Sequence, residues 1–494
     1  MKLPLLRLLA LALLVVTAGR GADEKLGSAP PAAASPRPPA VSAANPNVLF
    51  VVVDDLNLSL GCYGDRVVKS PHLDRLAARG VRFDRAYAQY TLCNPSRASF
   101  LSGRRPETTG IYILGTPVRT ALPAAVMLPQ FFRQQGYYTA GVGKIFHNPR
   151  TSDPASWDRY EDGAGEDDGE KAAIAARYGG GDGRPRWSVL PGDGSKTRDG
   201  LNARSIQTLV AEKAAEKKPF FLALGLHKPH LPWTAPERFF DLYPDGSVNA
   251  PADPAMRDIP AIALQTELSG FEQPATRAGA IRAYYACISF IDHQLGLVLD
   301  ELDRRDLWKN TLVVFFSDHG FHLGDHGGLW AKLSAFDAST RVPLIFAGAG
   351  VPAGRAVATP VELLDVYPTL VDLAGFAAPP GLEGRSLRPL FSNPDTSGHA
   401  RSLVYHYDVA GKRDVAGRTV IGPQWRYTEW DGGTAGREFY WRPDDPAEYR
   451  NRAADPALAA SVQTAAALLR AASSPKPGPA NRPRALDPDG RAKK

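Results

Sequence analysis

Three cysteines and three methionines are spread over 494 residues. So few thiols exclude a disulfide-stapled scaffold and a cysteine-rich zinc module. No Lys/Arg block interleaved with aromatic residues occurs, and the formal net charge is only +6. That mild basic excess suits acidic substrates such as sulfated or carboxylated glycans and offers no nucleic-acid groove. The apolar run near the start, Leu8 to Val16, is too short for an ordinary membrane helix, so no stable membrane insertion is expected once it is removed. The whole chain is 44% hydrophobic and 22% charged, the balance of a soluble globular protein. The length exceeds what one hydrophobic core usually serves and predicts a large domain with a smaller one.

Lys2 and Arg7 precede that apolar run, and the small residues Thr17, Ala18 and Gly19 follow it. Residues 1–22 therefore read as an export signal, with a buried or anchoring helix as the alternative. Residues 23–46 are rich in Pro, Ala and Ser and read as a disordered leader. The expected location is the periplasm or the exterior, or a lysosome-like compartment in a eukaryote. An odd cysteine count in an exported chain raises the question of a bridge. Cys287 lies in the apolar helical stretch Tyr284 to Ile288 and reads instead as a packed free thiol.

Short runs rich in β-branched residues, 47–53, Phe220 to Leu226, Leu312 to Phe316 and Val342 to Phe346, read as buried, parallel-type strands. Tyr138 to Val142 is strand-like as well. Between them lie helical patterns at His72 to Arg79, Leu128 to Gln135, Asn202 to Glu216 and Thr276 to Leu302. Such alternation predicts an α/β fold with a mostly parallel central sheet flanked by helices over residues 47–395. Residues 150–200 are rich in Gly, Asp and Pro, and the acidic run Glu166-Asp167-Asp168 reads as a solvated loop rather than a cation site. Beyond residue 396, Leu403 to Tyr407, Arg418 to Ile421 and Trp425 to Trp430 look like short antiparallel strands. Asp455-Pro456 then opens a helix over Ala457 to Leu469. Residues 396–472 are thus expected to form a small α+β domain with a short antiparallel sheet, and 473–494 a disordered basic tail.

Chemistry-bearing residues gather at the ends of these strands. Asp54 and Asp55 follow the first strand, and Asp318-His319 follow another. Strand carboxyl ends are where open α/β sheets bind ligands, and three carboxylates suit a hard divalent cation. Ca²⁺ is the first choice, while the histidine leaves Mg²⁺ or Mn²⁺ open. Lys144 and His147, three apart after Gly143, would share one face of a helical turn. His227 and His230 sit in His-Lys-Pro-His-Leu-Pro, where two prolines stiffen a loop presenting imidazoles. Lys332 lies in Leu-Trp-Ala-Lys. Cys93 opens Cys-Asn-Pro-Ser-Arg, followed at fixed offsets by Leu101 and Gly103-Arg104.

Position for position, that last run resembles the signature of the type I sulfatases, members of the alkaline phosphatase-like superfamily. The likeness extends through Asp54-Asp55, Gly143-Lys144 with His147, His227 to Pro232, Asp318-His319 and Lys332. Within the family the iduronate-2-sulfatase group and its bacterial relatives are most similar. The resemblance covers roughly Asn47 to Leu390, with a fainter echo in Phe439 to Asn451. It departs from the iduronate enzymes in the loop Phe321 to Trp330 and in the insert after Arg150, so a different sulfated saccharide is also in view.

The resemblance implies a sulfuric ester hydrolase acting on a sulfated saccharide or glycosaminoglycan-type glycan. It implies that a formylglycine-generating maturation enzyme oxidises Cys93 to 3-oxoalanine, whose hydrate attacks sulfur. One Ca²⁺ would be held by Asp54, Asp55, Asp318, His319 and residue 93. Arg97 and Lys144 would hold the nucleophile, His147 would act as base, and His230 or Lys332 would protonate the leaving alcohol. Lys332 would also clamp sulfate, with His227 and His230 on the substrate side. Two other readings compete. One is a phosphonate or phosphate-ester hydrolase of the same superfamily. The other is a non-catalytic glycan-binding protein whose Cys93 stays a thiol.

Overall fold

The computed structural model describes residues 45–471, apart from 168–186, 251–252, 266–267, 269–270, 272, 394–397 and 409–412. The export signal, most of the leader, the basic tail and Asp168 of the acidic run lie outside the described residues. Glu166 is exposed and pairs loosely with Lys196 at 3.6 Å, and residues 166–167 are helical rather than the loop expected.

Nine strands form the main sheet. They are β1 (Asn47–Val53), β2 (Gly80–Tyr87), β3 (Tyr138–Gly143), β4 (Arg159–Glu161), β5 (Phe220–Leu226), β6 (Thr311–Ser317), β7 (Arg341–Gly348), β8 (Arg355–Val357) and β9 (Val361–Glu362). Their order is β8-β2-β7-β6-β1-β5-β3-β4, with β9 also on β2. β1 lies parallel between β5 and β6, and β7 runs antiparallel to both β6 and β2. The sheet is thus mostly parallel, as expected.

Strand β1 shows why its sequence has no polar alternation. Leu49, Val51 and Val53 enter the hydrophobic core on one face, and Val48, Phe50 and Val52 enter the core on the other. A strand apolar on both sides must be covered on both sides. Helices α1 (Pro71–Ala78), α4 (Arg198–Glu216) and α5 (Pro274–Arg304) cover the first face. Helices α2 (Cys93–Ser102), α3 (Leu128–Gln134) and α6 (Val366–Leu373) cover the second. Cys287 is buried in α5 and free, its Sγ 3.5 Å from the Thr234 carbonyl.

Strand β7, expected at Val342 to Phe346 as a parallel-type strand, is buried but antiparallel to both neighbours, and three further details depart from the sequence expectation. Residues 144–148 form bends, so Lys144 and His147 do not share a helical turn. The loop-like stretch after Arg150 carries β4, which extends the sheet, and Trp187–Leu190, which pairs in parallel with Trp233–Pro236. Strand β2 alternates Arg82, Asp84 and Arg85 with apolar residues and lacks the continuous apolar run that marked the others.

The C-terminal sheet is antiparallel, as expected, with one more strand than the three anticipated. Strands β10 (Ala400–Asp408), β11 (Arg413–Ile421), β12 (Trp425–Trp430) and β13 (Gly436–Trp441) run in sequence order. Helix α7 (Ala459–Ala471) packs Ala465, Ala466 and Leu469 on Val420, Tyr427 and Phe439. Asp455 accepts from the Ala457 amide and opens the preceding turn. This sheet is tied to the segment before β7. Arg442 donates to Asp337 at 2.6 Å, and the Asp337 amide donates to Glu448 at 2.9 Å.

Burial opposes charge on Asp337, yet Arg442 and Arg341 overcome it and hold the carboxyl well below its usual range. The unfolded chain, with an ordinary value of about 3.9, therefore takes up this proton first. The contribution is complete above that value and is lost as pH falls below about 4. Asp337→Asn is expected to be less stable at pH 7, by roughly 2 kcal/mol. It should also show a shallower stability loss than the parent between pH 4 and pH 2 in urea titrations. Parallel acid limbs would refute this role for Asp337.

Candidate active site

The carboxyl ends of β1 and β6 lie side by side, with Val53 in register with Ser317. Asp54-Asp55 and Asp318-His319 therefore emerge next to each other. Asp55 sits at φ +64, a left-handed conformation costly for a residue with a Cβ, and it is fixed from several sides. Its amide donates to Asp318 Oδ1 at 3.3 Å and its carbonyl accepts from Tyr284 at 2.7 Å. Ser317 Oγ accepts from the Leu56 amide at 3.0 Å and donates to the His319 carbonyl at 2.8 Å.

Cys93 is the first residue of α2 and only 1% exposed. Its Sγ lies 3.2 Å from Asp54 Oδ1, 3.4 Å from His319 Nε2 and 3.3 Å from the Lys332 ammonium. One turn on, Arg97 is fully buried and donates to Asp318 Oδ2 at 2.8 Å and the Ile145 carbonyl at 3.1 Å, with Asp54 at 3.7 Å. Helix spacing explains the pattern: residues four apart lie on one face, so thiol and guanidinium meet the same cluster. The free amides at the α2 terminus favour an anion there. Ser96 reinforces the arrangement by donating to the Asp318 carbonyl.

Lys144 pairs with Asp54 Oδ2, and Lys332 lies 2.6 Å from Asp55 Oδ1. Ala331 and Leu333, on either side of Lys332, have φ of +70 and +59, so this segment too is held in an unfavoured backbone state. His406, on β10, contacts the Leu333 carbonyl and anchors it from the C-terminal sheet. His230 Nε2 is 3.9 Å from Asp55 Oδ2, and its side chain is 36% exposed, which puts it at the mouth. His147 is buried near Lys144, and its Nδ1 has no hydrogen-bond partner among the described residues.

His227 takes a different position. Its ring lies 3.4 Å from Asp199 and 3.6 Å from Asp162, beside Arg198 at 3.3 Å, apart from the ion pairs of the Cys93 cluster. Asp199 accepts from the amides of His227 and Lys228 at 2.7 and 2.9 Å, holding the loop whose peptides before Pro229 and Pro232 are cis. Asp199 and His406 were not singled out in the sequence, because each acts through a backbone contact with another segment and leaves no local signature. Ser96 and Ser317 stand inside the Cys93 and Asp318 runs, which left their own contacts unread. A second cluster, His322, Asp325 and His326, lies in the loop between His319 and Lys332. There Asp325 is shared by both rings, and His326 stacks on Tyr449.

The electrostatics of the Cys93 cluster show competition between burial and charge. Burial alone would raise Asp54, but Lys144, His230, Arg97 and Lys332 keep it well below the usual range. For Asp55, burial outweighs Lys332, Asp54 adds repulsion, and the carboxyl is pushed up to about 7. Burial works against a charged His319 as well, yet Asp318 raises it to about 9. Both shifts record protons taken up where carboxylates converge. Asp54, Cys93, Asp318 and His319 bring four donor atoms together, so the donor set fits a divalent cation in place of those protons. Burial and Lys144 depress His147 to about 3, which keeps it neutral near pH 7.

A mostly parallel sheet carrying this buried cluster at its strand ends defines an ester hydrolase of the alkaline phosphatase-like class. A family model described as Sulfatase matches residues 46–376, and a second, described as N-sulphoglucosamine sulphohydrolase, C-terminal, matches residues 324–473. A sulfatase of Formosa agariphila is 35% identical over 86% of this chain and 86% of its own length. Iduronate 2-sulfatase of Mus musculus is 33% identical, covering 78% of this chain and 85% of its own. In fold, the chain is similar to the phosphonate monoester hydrolase of Agrobacterium radiobacter. The TM-score is 0.69 at 23% identity, covering 86% of this chain and 95% of that one. The chain belongs to the sulfatase family and is a sulfuric ester hydrolase. The family implies a metal ion and a formylglycine, and the donor atoms around Cys93 form a possible metal site.

Removing Arg97 leaves two buried carboxylates short of their counter-charge. Arg97→Ala is expected to lower the unfolding free energy by about 3–5 kcal/mol, while Cys93→Ser changes it by less than about 1 kcal/mol. Urea denaturation in EDTA measures both. Equal losses would refute the assignment of the load to Arg97.

Proposed function

We propose that this enzyme removes sulfate from a saccharide, of the uronic-acid kind named by its iduronate 2-sulfatase relative or another sulfated sugar. The observation that carries this reading is the position of Cys93. Its Sγ sits at once against a carboxylate, an imidazole and an ammonium, at the positive end of a helix. Such a side chain can meet a tetrahedral anion with charge complementarity in a site shielded from water.

In this reading Asp54, Asp55, Asp318 and His319 hold Ca²⁺ together with residue 93. The cation would supply Lewis-acid neutralisation of the sulfate oxygens. Formylglycine made from Cys93 would supply two hydroxyls on one carbon, one to attack sulfur and one to drive release, which a thiol lacks. Arg97 and Lys144 hold that side chain in place. Lys332 clamps sulfate, and its ammonium points at residue 93. The leaving alcohol takes its proton from Lys332 or His230. The neutral state of His230, imposed by its partial burial and by Lys144 and Lys332, favours Lys332. His147, also neutral, is the base that accepts the proton of the second hydroxyl. His227, tied to Asp199, stiffens the loop that presents His230 to the substrate.

The same reading gives residues 47–395 to the catalytic domain and 396–472 to a C-terminal subdomain. It makes the protein an exported one that meets a formylglycine-generating enzyme. Among the described residues no helix is long and apolar enough to cross a membrane.

Two measurements test the proposal. The tryptic peptide carrying residue 93 should be lighter than its thiol form, having exchanged sulfur for oxygen and lost two hydrogens. Activity should vanish in Cys93→Ala and in EDTA, and return with Ca²⁺ better than with Mg²⁺. An unmodified, unreactive thiol would favour a glycan-binding protein instead. Separately, nitrophenyl sulfate should be turned over much faster than nitrophenyl phosphate. The reverse preference would move the enzyme to the phosphonate and phosphate-ester branch, which shares its fold.

A further inference from the structure

We propose that a groove at the end of the C-terminal sheet is a second saccharide site, holding an anionic stretch of the chain whose ester is cleaved elsewhere. The inference rests on the sulfated-saccharide reading above and extends it from a monomer to a polymer. The groove has a volume of about 760 Å³, within the range of small-ligand sites. Its charged and polar lining is Arg437, Arg450, Arg452, Asn451, Asp258 and Asp455.

Most arginines near this sheet are already engaged. Arg426 is held by Glu448 and Glu438 at 3.0 and 3.4 Å, and Arg442 by Asp337 and by Glu448 at 3.3 Å. Arg452 is held by Asp444 and Asp455, each at 2.8 Å, so one guanidinium is shared by two carboxylates. Arg437 and Arg450 differ. Both are exposed, and neither has a carboxylate within ion-pair distance among the described residues. The lining holds three arginines against two carboxylates, Asp258 and Asp455, and the guanidiniums of Arg437 and Arg450 stay open to an anionic ligand. Guanidinium forks match sulfate and carboxylate oxygens. The Asp258 carboxylate is suited to a hydroxyl between them.

The floor of the groove is rigid. The Asn451 side-chain amide donates to the carbonyls of Asp258 and Arg437 at 2.8 and 2.9 Å. Its amide nitrogen donates to the Arg257 carbonyl at 3.0 Å, and the Arg257 amide donates to the Tyr449 carbonyl at 2.9 Å. The Arg437 guanidinium lies over Gly433, where an added Cβ would fall 2.5 Å from its Nε. Gly433 also has φ +93, so glycine serves both the turn and the arginine. Arg450 is joined to the catalytic loop through the residue before it. The Tyr449 ring stacks on His326 with centroids 4.5 Å apart and planes 7° from parallel, and His326 lies between His319 and Lys332 in the chain. One layer of packed rings therefore links the groove to the segment carrying Lys332.

The test compares the parent with Arg437→Gln/Arg450→Gln, using a heparin hexasaccharide as the anionic chain and nitrophenyl sulfate as the minimal ester. Calorimetric titration should show hexasaccharide affinity falling roughly tenfold in the double variant. The affinity of the parent should weaken with added salt. Nitrophenyl sulfate kcat and KM should stay unchanged. The proposal is overturned if the hexasaccharide binds parent and variant alike or binds neither, if nitrophenyl sulfate turnover falls as well, or if single-stranded DNA of equal charge binds as tightly. Failure of the sulfatase reading would appear instead in the ratio of nitrophenyl sulfate to nitrophenyl phosphate turnover. Equilibrium binding does not depend on that ratio.

Discussion

The contact between Arg97 and the carboxylates at the ends of β1 and β6 is the constraint on which the rest depends. Three carboxylates meet in a space with almost no water, and each must find compensation inside the protein. Arg97 supplies part of it from α2, Lys144 from the end of β3, and Lys332 from the loop that precedes β7. Charge balance thus couples five separate elements, and the apolar sheet beneath fixes their spacing. Neither component would suffice alone. A sheet without the cations would be forced apart or protonated at its strand ends, and the cations without the sheet would have no common point.

The fold was legible in the sequence wherever one physical demand acted alone. β1, β5 and β6 are buried on both faces, so their runs are apolar throughout and mark themselves. Strand β2 was not legible, because its charged residues are accommodated by local pairs such as Arg82 with Asp84 at 2.7 Å. The short β4 is three residues long and takes its place from β3 rather than from its own pattern. The fourth strand of the C-terminal sheet, β13, follows a glycine-rich turn that obscured its boundary.

At the site, the side chains that carry charge were visible because charge at a strand end is rare and has a reason. Their supports were not visible. Ser317, Asp199 and His406 work by holding carbonyls and amides of other segments, 261 residues away at Leu56, 28 at His227 and 73 at Leu333. The spacing of Lys144 and His147 suggested a helical turn, but the chain instead leaves β3 in bends. Gly143 at φ +81 turns it there, and the Gly225 carbonyl approaches to where a Cβ would stand. His147 reaches the cluster by that bend rather than by helical periodicity.

The burial of residue 93 has a consequence for the order of events in making this protein. In the folded chain its side chain is enclosed by α2, both aspartate-bearing strand ends and the Lys332 segment. No second enzyme could close its own active site around a group so enclosed. The conversion proposed for Cys93 must therefore take place on a chain not yet folded, in the interval between synthesis and closure of the sheet. Folding then seals the product in. The pace of folding, and not only the presence of a maturation partner, would set what fraction of molecules becomes active.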